Sequence, residues 1–105
     1  MHDGNNRIMK KVEEIKKRLA ALKPSLQKRY GITDIGIFGS YARGEERPDS
    51  DLDVYVDYAE IPSLLDIVDL ELFLNEELKV KTDVVPRECI RPELKKYILP
   101  EVVKI

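Results

Sequence analysis

The stretch IGIFGSYARGEERPDSDLDVYVD, residues 35 to 57, leaves this chain few ways to fold. Two runs flank its middle, ITDIGIF at 32–38 and DLDVYVD at 51–57. In the first, Ile35 and Ile37 share a face. In the second, Leu52, Val54 and Val56 alternate with Asp51, Asp53, Tyr55 and Asp57, the pattern of a strand with one buried and one polar side. Between them GSYARG has room for about one helical turn, bounded by glycine at both ends. The segment therefore reads as strand, tight turn, short helix, loop, strand.

The remaining elements follow from periodicity. Residues 7–22 place Ile8, Val12, Ile15, Leu19 and Leu22 at helical spacing among Lys, Arg and Glu. Pro24 is expected to end that helix or to open a second short one that runs to Tyr30 and closes at Gly31. Ser63 is a good N-cap for LLDIVDLELFLNEEL, in which Leu64, Ile67, Leu70, Leu74 and Leu78 are expected to share the buried stripe. VKTDVV, 80–85, predicts a third strand stopped by Pro86, and Pro92 opens a short helix over 92–99. The tail EVVKI reads as a short edge strand. This order predicts an α/β (α+β) fold, a small mixed sheet with helices packed on it, and the length suits a single domain over 1–105.

Composition excludes several functions. A hydrophobic fraction of 43% beside 36% charged residues fits a folded, charge-rich globule and not a disordered chain. The net charge of −2 provides no basic field for nucleic acid, so nucleic acid is not expected as a partner. With one cysteine, Cys89, no internal disulfide can form, and with one histidine, His2, a His/Cys zinc site is not expected. No apolar run approaches a membrane span and no leader pattern opens the chain, so a cytoplasmic, membrane-free protein is expected. A P-loop is absent at the motif level.

The chemistry concentrates in three places. Asp51 and Asp53 project from the same strand face, roughly 6.5–7 Å apart at Cα. Two such charges repel, and packing alone gains nothing from them; divalent ions reverse the sign of the interaction. A lone D-x-D is more often a solvated strand face, and Asp49 and Asp57 lie in phase with the pair. A lone Gly39-Ser40 is likewise more often a strand-to-helix turn with an ordinary N-cap. The combination carries more: a backbone turn with free N–H groups and a hydroxyl suits phosphate, and a carboxylate pair follows on the next strand. Asp83 adds a carboxylate inside the otherwise apolar VKTDVV strand, which is costly unless the charge is paired, metal-bound or at a solvated edge. Beside the Asp51/Asp53 strand it would reach the same ions and accept a proton from an attacking hydroxyl.

Gly39-Ser40, ten intervening residues, Asp51-x-Asp53 and the later strand acid Asp83 resemble the DNA polymerase beta-like nucleotidyltransferase superfamily. The longer string FGSYARGEERPDSDLDV, with Arg43-Gly44 and Ser50-Asp51, is similar to its minimal nucleotidyltransferases, over nearly the whole chain. The resemblance implies Mg²⁺, two ions, held by Asp51, Asp53 and Asp83, with Asp83 also the base. It implies ATP as substrate, its β- and γ-phosphates held by Ser40 and the turn after Gly39, and Arg43 either touching phosphate or bracing the loop. Larger members carry a second domain for the acceptor; here the acceptor is expected to be docked from outside, on a protein. The implied partner is a HEPN-domain toxin that receives AMP on a tyrosine from its antitoxin. Two alternatives stay open: an antitoxin that acts by binding alone, and transfer to a small molecule or an RNA end.

Overall fold

In the computed structural model, backbone structure is described from Asp3 to Ile105 and side-chain environments from Lys11 onward. The elements are α1 (Asp3–Tyr30), β1 (Ile32–Phe38), α2 (Ser40–Arg43), β2 (Leu52–Tyr58), α3 (Leu64–Leu78), β3 (Thr82–Pro86), α4 (Pro92–Ile98) and β4 (Val103–Lys104). Short 3-10 turns follow β3 and α4. The four strands form one mixed sheet in the order β3-β2-β1-β4. β1 runs antiparallel to β2 and β4, while β2 and β3 are parallel and joined through α3. The tail is the edge strand expected of it.

Ladder positions assign the two sheet faces. Ile35 lies opposite Val56 and Ile37 opposite Val54, and with Leu52 and Val84 these side chains are buried together. From the helical layer, Ile15, Leu19 and Leu26 of α1 and Leu70, Leu74 and Leu78 of α3 join the same core. Fully burying each such aliphatic side chain contributes roughly 1.5–3 kcal/mol. The side chain of Ile8 lies outside the described residues.

Two local expectations are corrected. α1 does not end at Pro24 but continues through it to Tyr30. Pro24 and Ala20 are both exposed, so the Ala20 carbonyl that loses its intrahelical donor can meet water, while Leu26 keeps the far end of the helix anchored in the core. The second correction concerns Leu64, which is exposed and off the buried stripe. Six residues make about 1.7 turns, which swings Leu64 about 120° away from Leu70. α3 does start where expected: Ser63 Oγ accepts from the Asp66 N–H at 3.1 Å and Asp66 Oδ2 accepts from the Ser63 N–H at 3.0 Å, a reciprocal cap.

Gly36, mid-strand in β1, lets the C-terminal segment close over the sheet. A Cβ there would lie 2.9 Å from the Val103 carbonyl oxygen and against the Val102 side chain. The Ile105 N–H donates to the Ile35 carbonyl at 3.0 Å, and Lys23 Nζ donates to the Ile105 carbonyl at 3.0 Å.

Candidate active site

The sheet face away from the core carries the acids. Because β1 and β2 are antiparallel, the end of β1 meets the start of β2, and Phe38 lies opposite Asp53. β3 then places Asp83 beside Asp53 in the parallel ladder. Directly paired residues point to one side of a sheet, and Asp51 is in phase with Asp53, so all three carboxylates share a face. β3 is an edge strand, yet Asp83 is half-buried beside Asp53 and not free in water.

The chain turns off β1 directly against these acids. Gly39 has φ 79, and a Cβ on it would collide with the carboxylate of Asp53. Two constraints therefore select glycine: the left-handed backbone, and the approach of Asp53 to the bare Cα. Gly39 itself is the N-cap of α2, so Ser40 is the first helical residue and not the ordinary cap. The turn is closed by Arg43 N–H to the Gly39 carbonyl at 3.1 Å and Glu45 N–H to the Ser40 carbonyl at 2.8 Å. Tyr41 is buried beneath it and fixes α2 on the sheet.

Electrostatics follow from this crowding. Burial, then the charges of Asp83 and Asp51, push the Asp53 carboxyl above its ordinary value, against an opposing pull from Arg43. Burial likewise raises the Tyr41 phenol, helped by the charges of Glu46 and Asp51. One Glu46 carboxylate oxygen is buried with no hydrogen-bond partner among the described residues. Asp51 has a cation at long range, Lys81 Nζ at 3.9 Å. Arg43 is occupied by two carboxylates, Glu45 at 3.0 Å and Glu101 at 3.3 Å. That arrangement braces the turn to the C-terminal segment.

Among the described residues no group of three or more His, Cys, Asp or Glu side chains is set to hold a metal ion by itself. The donor set is an open row of carboxylate oxygens, one of them destabilised by its neighbours. Such a row suits Mg²⁺, which takes one or two carboxylates and completes its shell with water and substrate phosphate oxygens. A cation would also relieve the repulsion at Asp53.

Sequence reasoning missed Arg87, just past β3, which donates to the Tyr55 hydroxyl at 3.4 Å and lies 3.9 Å from Asp57. Asp57 and Tyr55 belong to the acid-bearing face, so Arg87 adds a cation there. Its position depends on the β2–β3 pairing, and no local signal near Pro86 announces it. Asp49, in phase by count, lies exposed in the loop before β2. Among the described residues no helix is long and apolar enough to cross a membrane.

Residues 9–105 match the nucleotidyltransferase domain family. Over 94 residues the chain is 44% identical to protein adenylyltransferase MntA of Thermococcus cleftensis, a match covering 90% of this chain and 95% of that protein. A solved structure assigned to the minimal nucleotidyltransferases superposes with a TM-score of 0.78 at 38% identity, covering 90% of this chain and 95% of that one. A likeness of fold alone extends to the complex of tri-AMPylated Shewanella oneidensis HEPN toxin with its MNT antitoxin, with a TM-score of 0.58 at 20% identity, 90% of this chain and 67% of that one. The chain belongs to the nucleotidyltransferase domain family, among the minimal nucleotidyltransferases of polymerase beta-like fold, and is a nucleotidyltransferase enzyme.

Proposed function

We infer that this protein transfers AMP from ATP to a tyrosine hydroxyl of a HEPN-domain toxin and so acts as that toxin's antitoxin. The observation that carries the reading is the meeting of three elements at one point: the Gly39 turn, Asp53 against it, and Asp83 alongside. Likeness to a chain named protein adenylyltransferase and to an MNT–HEPN complex supports the donor and the partner class.

In this reading Asp51, Asp53 and Asp83 hold Mg²⁺. Mg²⁺ held by these carboxylates would supply neutralisation of the phosphate charge. Ser40 and the backbone after Gly39 bind the β- and γ-phosphates. Asp83 takes the proton of the acceptor hydroxyl as its oxygen forms the new bond to the α-phosphorus. The bond from that phosphorus to the bridging oxygen breaks, and pyrophosphate leaves. Arg43 holds the turn in register through Glu45 and Glu101.

The test incubates the protein with ATP labelled at the α-phosphate, Mg²⁺ and the protein encoded beside it. Label is expected on that protein's tyrosine, with transfer reduced about 10²–10³-fold or more in Asp51→Asn and in Asp53→Asn. Both variants should stay folded, and Asp53→Asn should melt no lower than wild type because it removes a repelled charge. Undiminished transfer by the variants would overturn the site. Full protection of cells by variants that transfer nothing would replace catalysis with sequestration.

A further inference from the structure

α3 is apolar on two sides. Its inner stripe, Leu70, Leu74 and Leu78, is buried against the sheet. A second stripe, Leu65, Val68 and Leu72, repeats at i, i+3 and i+7 on the opposite side and is 80%, 44% and 61% exposed. Ile61 and Leu64, also exposed, extend it toward the helix start. A short helix with an outward apolar stripe of this kind marks a surface that something covers.

The charges on the same helix indicate what covers it. LLDIVDLELFLNEEL contains five acidic residues and no basic one. Two of them, Asp69 and Glu76, stand with Leu72 around a cleft of about 490 Å³ between α3 and the end of α1. Arg29, the base lining that cleft, lies over the rings of Tyr30 and Phe73, 5.3 and 5.0 Å from their centroids. A second copy of this chain would set acid against acid across the stripe, and an anionic lipid surface would meet the same repulsion. The complementary occupant is cationic as well as apolar.

We propose that the outer face of α3 is the docking surface for a basic amphipathic helix of a partner polypeptide. Its apolar side covers Leu65, Val68 and Leu72, and its Lys and Arg residues meet Asp69 and Glu76. Identifying that partner with the AMP acceptor rests on the adenylyl-transfer reading above. The surface lies on the helical layer, so its occupation leaves the acid-bearing sheet face free, and docking separates from chemistry.

The experiment measures labelled AMP transfer to the protein encoded beside this one by wild type, Leu65→Ser/Leu72→Ser and Asp69→Lys/Glu76→Lys. Both double variants are expected to melt like wild type, to raise KM for the acceptor about 10-fold or more, and to leave kcat within about twofold. An unchanged KM overturns the docking surface and leaves adenylyl transfer standing. If wild type modifies nothing, the transfer reading fails, and calorimetry with Leu/Lys and Leu/Glu amphipathic peptides of about 18 residues decides the surface alone. Binding of the basic peptide only, lost in Leu65→Ser/Leu72→Ser, upholds it. Equal binding of both peptides, binding of neither, or self-association of the chain through this face overturns it.

Discussion

Gly39 is the residue on which the site turns. Its bare Cα lets Asp53 approach the backbone that leaves β1, and its φ of 79 aims that backbone across the acids. Gly39→Ala violates both conditions at once. It should cost about 1–3 kcal/mol in denaturant unfolding and remove most transfer activity, because the new methyl displaces the Asp53 carboxylate. Retained stability with full activity would mean that the turn relaxes without consequence. Gly39 was legible in the sequence as a turn, and Asp51 and Asp53 as a same-face pair. The contact between Gly39 and Asp53 was not, because it depends on how β1 and β2 register. Arg87 was hidden for a similar reason: its neighbours Tyr55 and Asp57 are about thirty residues away.

At the scale of elements, β3 shows how an edge is closed. In a parallel ladder alternate residues turn their backbone groups outward, here Thr82, Val84 and Pro86. The Thr82 N–H donates to Asn75 Oδ1 at 2.7 Å and the Val84 N–H to Glu71 Oε2 at 3.0 Å, both from α3, while Pro86 has no N–H. Asn75→Ala should cost about 1–3 kcal/mol and speed amide exchange at Thr82, with Val84 less affected. Equal protection of Thr82 in the variant would show that the bond adds nothing. Element types and most boundaries were legible because periods and caps are local: Ser63 with Asp66 marks the start of α3, and Leu70, Leu74 and Leu78 mark its inner face. Pro24 and Leu64 were misjudged because tertiary anchoring by Leu26, and rotation over six residues, outweigh a local rule.

For the whole molecule, alkaline pH probes the packing. Burial pushes the Tyr58 phenol up to about 12 from 10.0, aided by the charges of Asp66 and others, and burial is also the main cause of the raised Tyr30 and Tyr41 phenols. A phenol whose folded value lies above its unfolded one favours the native state fully below the unfolded value. That stabilisation disappears as pH climbs through the folded one. Stability should therefore hold to about pH 10 and decline toward pH 12, and Tyr58→Phe should flatten the decline. Denaturant midpoints across that range check it. The Tyr58 hydroxyl is buried with no partner among the described residues, so the same variant should be no less stable at pH 7. With β3 sealed by its own helix and β4 only two residues long, neither flank of the sheet offers a ribbon of free amides. Recruitment by strand addition is thereby closed to this molecule, and a polypeptide partner has to be recognised through side chains.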